Sequence, residues 1–256
     1  VIAGSDSGGG AGIQADIKTI NNLGGYATTA ITALTAQNSQ TVTEILPIHP
    51  EFIAKQIGTV CSDIKIDAVK IGMVYDLPAL EAIFSTLEEL IPNTPIILDP
   101  VMVSSSGVKL SKVTQKFLNF IKSDALHKCF LITPNIIEAE IICNMKIITL
   151  DDMVVACQIM KRQGAQAILL KGGHMGNDIV HDVLLSDKLL KIFESPRIPS
   201  KDNHGSGCAL ASAIATGIAN KMELEEAIKQ ARTYVYNAME NAIIPGVGVG
   251  TLNHLH

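Results

Sequence analysis

The sequence predicts an α/β fold on a mainly parallel sheet, and three observations carry that prediction. Short β-branched runs alternate with longer runs whose apolar residues recur every three or four positions, the strand-then-helix order of parallel βαβ units. The chain has 256 residues, 47% of them hydrophobic, which suffices for one sizeable core. No linker, repeat or low-complexity tract divides it, so one domain spanning residues 1–256 is expected.

The elements follow in order. Val1-Ile2-Ala3 begins a strand that runs into the glycine-rich GSDSGGGAGIQAD, Gly4 to Asp16. Ile13, Ile17, Ile20 and Leu23 then mark one face of a helix, which Gly24-Gly25 closes. YATTAITALTAQN reads as the next strand. DAVKIG (67–72), PIILD (95–99), CFLIT (129–133) and QAILLKGG (166–173) read as buried strands. Helices are predicted over Phe52–Ile64, Leu77–Leu90, Val113–Leu126, Met153–Gln163, Gly207–Asn220 and Leu224–Asn241, with Asp151-Asp152 available as a cap. In such sheets the loops leaving the carboxyl ends of strands build the site. Here they are GSDSGGG, TAQN, IGM, LDPVM, ITPNIIEAE and LLKGGH.

Bulk charge narrows the function. Lys and Arg total 20 against 25 Asp and Glu, a formal charge of −5 without long runs of either sign. That speaks against nucleic acid or an anionic membrane as partner. Cysteines stand at 61, 129, 143, 157 and 208, an odd number without a CxxC pair, which suits a reducing cytoplasm. No apolar stretch is long enough to span a bilayer and no secretory segment is seen; the chain opens on Val1 rather than Met, leaving room for an earlier natural start.

Inside the first loop, Gly10-x-Gly12-x-x-Ala15 matches a relaxed dinucleotide fingerprint. The context does not fit. Several residues separate the strand from Gly10, the next strand carries no acid for a ribose, and no GK[ST] follows to make a mononucleotide P-loop. What remains is a bare backbone that lets a compact ligand approach closely, or a plain turn before a helix.

The second cluster, His204-Gly205-Ser206-Gly207-Cys208, opens the small-residue helix ALASAIATGIAN. Backbone N–H groups at such a start form an anion hole, although a capped helix packed through Ala and Gly would read the same way. Cys208 lies in the first turn, where the helix dipole favours a thiolate; the other cysteines read as buried hydrophobes. Asp99, the pair Asn135-x-x-Glu138, and Lys171 stand at neighbouring strand ends and together suit Mg²⁺ and polyphosphate. Singly each has a plain alternative: Asp99 as a cap, Glu138 on a solvated helix face, Lys171 snorkelling. The histidines supply no metal set, with His254 and His256 expected to pack or fray, and no serine lies in a GxSxG elbow, which removes hydrolase chemistry.

GSDSGGGAGIQAD, ITALTAQN, KIGM, LDPVM, ITPNIIEAE, LLKGGH and HGSGC, in that order and over nearly the whole chain, resemble the hydroxymethylpyrimidine/phosphomethylpyrimidine kinases of thiamine biosynthesis, within the ribokinase-like superfamily. The resemblance implies a three-layer α/β/α sandwich, ATP and Mg²⁺, a pyrimidine substrate, a homodimer, and the first glycine loop in the substrate pocket rather than at the phosphates. Carried over by motif, Gly4, Asp16, Gln37, Met73 and Val101 would line the pyrimidine pocket. Asp99 and Glu138 would serve the metal, Asn135 and Lys171 the phosphates, and Gly205, Ser206, Gly207 and Cys208 the anion hole, with Cys208 as candidate base. Ser206 replaces a threonine common in the family, and Cys208 stands where the wider superfamily carries Asp. The Gln37 amide also suits an aminopyrimidine edge on chemical grounds, offering an acceptor and a donor side by side. A pyridoxal or pyridoxine kinase, or a non-catalytic ligand-binding relative, are the alternative readings.

Overall fold

A computed structural model describes residues 1–103, 110–176, 178–199 and 203–255. Its strands form one sheet in the order β3-β2-β1-β4-β5-β6-β7-β8-β9. The centre is parallel: β2 (Ala30–Gln37), β1 (Ile2–Asp6), β4 (Val69–Ile71), β5 (Ile96–Leu98), β6 (Leu131–Ile132) and β7 (Ala167–Lys171). Both edges are antiparallel, with β3 (Val42–Pro47) on β2, then β8 (Ile179–Ser186) on β7 and β9 (Leu190–Pro196) on β8. The parallel strands are those the sequence predicts: four are trimmed by one or two residues at each end, β2 begins at Ala30 rather than Tyr26, and β1 runs on to Asp6. The antiparallel ones are additions. Only Phe193 of β9 is buried, and such half-exposed edge strands lack the continuous apolar run of a central one.

Alternate residues of each central strand serve opposite layers, as a two-residue side-chain period requires. Ile96, Leu98, Ile132, Ile168 and Leu170 pack under α2 (Pro50–Cys61), α3 (Leu77–Leu90), α6 (Ile136–Cys143) and α7 (Leu150–Arg162). Ile97, Leu131 and Leu169 face α8 (Ser206–Ala219) and α9 (Leu224–Glu240), which pack on each other and, through α8, on α1 (Gly12–Asn22). This is a three-layer α/β/α sandwich, the architecture the resemblance implies. Among the described residues, no helix is long and apolar enough to cross a membrane.

Local chemistry sets the boundaries. Gly24 takes φ +80° while Gly25 N–H donates to Ile20 O at 2.8 Å, so the glycine pair ends α1 as expected. Thr149, not the Asp151-Asp152 pair, caps α7: its hydroxyl accepts Asp152 N–H at 3.1 Å while the Asp152 carboxylate accepts Thr149 N–H at 2.8 Å. The helix predicted over Val113–Leu126 is interrupted, with α4 (Gln115–Phe120) capped by Thr114, a π turn at Ile121–Ala125, and α5 (Leu126–Lys128). His254 is packed, its Nδ1 lying 2.9 Å from the Tyr234 hydroxyl; His256 lies outside the described residues.

Candidate active site

A cavity of about 990 Å³ opens where the parallel strands end. From β1 and the strands beside it come Gly4, Gln37 and Met73, and Val101 follows β5. From the opposite side come Asp99, Asn135, Glu138 and Lys171, with Gly205, Ser206, Gly207 and Cys208 at the start of α8. Twelve of the thirteen residues predicted from the sequence therefore share one cavity.

Asp16 is the exception. Its carboxylate is wholly buried, accepts two bonds from Lys70 Nζ at 2.9 and 3.0 Å, and takes a third from the Ser212 hydroxyl at 2.7 Å. It ties α1 to β4 and α8 beneath the cavity rather than lining it. Burial works against the charge on Lys70, but Asp16, Cys208 and Asp99 outweigh it and hold the ammonium above the ordinary lysine range.

At the phosphate-like end, Lys171 leaves β7 and donates to Asp99 Oδ1 at 2.7 Å, a carboxylate that also accepts the Thr133 hydroxyl at 3.1 Å. Lys171 is therefore paired, not snorkelling, and Asp99 caps no helix. Burial lowers the affinity of Lys171 for its proton, yet Asp99 and Glu138 push it above the usual value. Glu138 is buried rather than solvated: it closes a capping box with Asn135, each accepting the other's backbone N–H at 2.9 Å. Burial raises its carboxyl to about 7, against the pull of Lys171. Two buried carboxylates beside a lysine are a hard oxygen set that suits Mg²⁺ when phosphate oxygens and water complete its shell. Among the described residues, no group of three His, Cys, Asp or Glu forms a metal cage on its own.

Gly207 leaves one position of the first turn of α8 without a side chain. A Cβ there would come within 3.3 Å of Lys171 Nζ, so the bare backbone faces the lysine and Asp99. Cys208 keeps part of its surface open to the cavity. Its thiol is not drawn down as the helix start predicts: burial pushes it up to about 11, Asp16 and Asp99 add to this, and Lys70 and the Gly12 amide only partly oppose it. A dipole worth at most about 2 kcal/mol is outweighed by desolvation and two nearby carboxylates.

The two glycine clusters meet. Gly205 holds φ +86°, and a Cβ there would lie 1.9 Å from Gly10 O, so backbone packs on backbone. Asp6, at the end of β1, organises the first loop by accepting N–H groups of Gly8 (2.8 Å), Gly10 (3.0 Å) and Ala11 (2.8 Å). His204 Nε2 adds a further contact to Asp6 at 3.0 Å. Burial disfavours the charge on Asp6, but these bonds outweigh it and hold the carboxyl below its usual range. Sequence reading missed both Asp6 and His204 as site residues. Asp6 lies within GSDSGGG and His204 heads HGSGC, but they stand 198 positions apart and nothing in either motif pairs them.

The model of the family described as phosphomethylpyrimidine kinase matches residues 6–253. The chain belongs to that family. Similar curated proteins include the hydroxymethylpyrimidine/phosphomethylpyrimidine kinase of Bacillus subtilis, 37% identical over 99% of this chain and 93% of its own length. The thiamine biosynthesis bifunctional protein ThiED of Geobacter sulfurreducens is 42% identical over 99% of this chain, which spans 51% of that longer protein. Among solved structures, phosphomethylpyrimidine kinase of Clostridium difficile is similar at TM-score 0.80 and 36% identity, covering 93% of this chain and 97% of that one. Pyridoxal kinase of Staphylococcus aureus, in complex with AMP-PCP and pyridoxal, reaches TM-score 0.89 at 29% identity, covering 99% and 91%. The family thus extends over nearly the whole fold and the cavity, and it is a family of kinases.

Proposed function

We propose that this chain transfers the γ-phosphoryl group of ATP to the hydroxymethyl oxygen of 4-amino-5-hydroxymethyl-2-methylpyrimidine, and then a second phosphoryl group to the resulting monophosphate, in thiamine biosynthesis. The observation that carries this reading is the single cavity joining an amide-bearing end at Gln37 to an anion-binding end at Gly205–Cys208 and Lys171. The pyrimidine edge is read by Gln37 against the apolar Met73 and Val101, with Gly4 leaving room beside the Met73 sulphur. Nucleotide phosphates rest on the backbone N–H groups of α8, supported by Asn135 and Lys171. Mg²⁺, held by Asp99 and Glu138, would neutralise phosphate charge. In-line phosphoryl transfer asks mainly for position and charge, which these groups supply. Cys208 adds its backbone donor to the anion hole and, in its ionised thiolate form, its sulphur as the acceptor of the alcohol proton in the first transfer.

The likeness to pyridoxal kinase makes pyridoxal the informative competitor. Product analysis by mass spectrometry, with ATP and either the pyrimidine alcohol, its monophosphate or pyridoxal, tests the reading. Mono- and diphosphate from the first two is the expected result. Phosphorylation of pyridoxal alone overturns it, and no ATP turnover with any of them would mark a ligand-binding relative. The reading extends to one domain, a homodimer and a reducing cytoplasm. The continuous sheet, the exposed Leu34 and Leu46 on the β2–β3 edge, and the five free cysteines support these in turn.

A further inference from the structure

The Gln37 side-chain amide ends 3.2 Å from His204 Nε2 and 3.2 Å from Thr35 Oγ1, with its nitrogen towards the histidine and its oxygen towards the threonine. An amide's two ends have nearly the same shape and are told apart by their partners. Both partners here ask for the opposite orientation. His204 Nε2 lies 3.0 Å from Asp6 Oδ2, a carboxylate that already accepts from Gly10 and Ala11 and can only accept, so Nε2 carries a proton whatever the charge of the ring. A nitrogen that donates meets an amide oxygen, not an NH₂. Thr35 argues the same way from the other end: its one hydroxyl proton reaches Ser5 O at 3.0 Å, leaving its oxygen free to accept. Turned over, the amide oxygen shares the single His204 Nε2–H with Asp6 in a three-centre bond, and the amide nitrogen gives one N–H to Thr35, so neither contact is left donor to donor or acceptor to acceptor.

This arrangement leaves the amide one donor and one acceptor for a ligand, and it fixes which is which. We infer that His204, held by Asp6, is a positioning residue that sets the direction of the Gln37 amide, with its oxygen on the histidine side, so that the site distinguishes an aminopyrimidine from its oxo analogue. The inference rests on the reading that Gln37 contacts the pyrimidine. A 4-aminopyrimidine edge offers an N–H from its exocyclic amine and a lone pair from its ring nitrogen. The 4-oxo form reverses both, offering a carbonyl oxygen and a ring N–H. A free amide would accept either by rotating half a turn; an anchored one meets the oxo form donor to donor and acceptor to acceptor. Gly10 makes the anchoring possible, because a Cβ there would lie 2.4 Å from the His204 ring.

The test is calorimetric binding of 4-amino-5-hydroxymethyl-2-methylpyrimidine and of its 4-oxo analogue to the parent and to His204→Phe, His204→Gln, Thr35→Val and Gln37→Leu. The parent should prefer the amino compound on the order of 100-fold, since mismatched buried hydrogen bonds discriminate strongly. His204→Phe keeps the ring but not the donor, and should bring the ratio to within about threefold of unity, while His204→Gln, which can still donate, should restore most of it. Thr35→Val removes the second anchor, should lower the ratio as well, and carries the test should His204→Phe not fold. A purely structural role would weaken both compounds together and leave the ratio standing; that result in His204→Phe or Thr35→Val, beside a ratio lost in Gln37→Leu, overturns the positioning role alone. An unchanged ratio in Gln37→Leu overturns it together with the pyrimidine reading.

Discussion

Lys171 Nζ lies 2.7 Å from Asp99 Oδ1 and faces the backbone of Gly207 across a gap that a single methyl group would fill to 3.3 Å. The ammonium thus stands between a carboxylate and a helix N-terminus, where transferred phosphoryl charge would sit. Lys171→Met should lower kcat on the order of 100-fold, because charge stabilisation in a water-poor site is realised chiefly in the transition state. Pyrimidine affinity should stay as it is. Steady-state kinetics together with calorimetry checks this, and a loss confined to pyrimidine binding would remove the lysine from the phosphate end.

Glu138 carries a pH signature. Its folded pKa of about 7 lies above the ordinary 4.5, so between those values the folded protein holds a proton that the unfolded chain has released. The stability contributed by this group is complete below pH 4.5 and is lost as the pH rises towards 7. The loss is of order a few kcal/mol. Glu138→Gln, which keeps the capping geometry, should abolish that slope in melting curves and raise the Mg²⁺ concentration needed for half-maximal rate. A parent and variant whose Tm values fall in parallel over this range would contradict it.

The buried ion pair of Asp16 and Lys70 is predicted to be structural. Asp16→Asn leaves an ammonium buried without its counter-charge and should cost about 3–5 kcal/mol in denaturant unfolding. The affinity of whatever protein remains folded for the pyrimidine should match the parent. Gln37→Leu should behave in the opposite sense, losing about 2 kcal/mol of pyrimidine binding at nearly constant Tm.

With its thiol near 11, Cys208 is almost wholly neutral at pH 7. A base of that strength makes the first transfer, to an alcohol, rise with the thiolate fraction, about tenfold per pH unit between roughly pH 6 and 9. The second transfer, to a phosphate oxygen already charged, needs no base. The ratio of the two rates should therefore climb with pH in the parent and stay flat in Cys208→Ala. Identical ratios in both proteins would leave the residue only its backbone N–H in the anion hole.

What the sequence made legible follows from burial. The central strands β4 to β7 are covered on both faces, so β5, β6 and most of β7 read as apolar runs, with Lys70 the one charge inside β4, and the loops behind them could be picked out as the site. The antiparallel strands β3, β8 and β9 are partly exposed, and their mixed patterns resemble loops. Helix α6 was hidden for another reason: in IIEAEIIC the apolar residues are spread around the helix with two glutamates among them, leaving no period to detect. Asp16 carried the right motif but the wrong surroundings, since a sequence does not reveal that Lys70 and Ser212 enclose it. Cys208 was misjudged in the same way, its helix position being visible and the desolvation and carboxylates around its thiol not.

The contact of Gly205 with the Gly10 carbonyl has a bearing on how such sites can be altered. The loop beside the acceptor and the loop beside the phosphates are two halves of one backbone joint, with no side chain between them to absorb a change in either. Grafting a new acceptor loop from a distant kinase, without the turn that precedes α8, would force the Gly205 backbone off its neighbour and misplace the anion hole. Substrate range and phosphate binding are in this sense inherited together, and redesign of one has to transplant both.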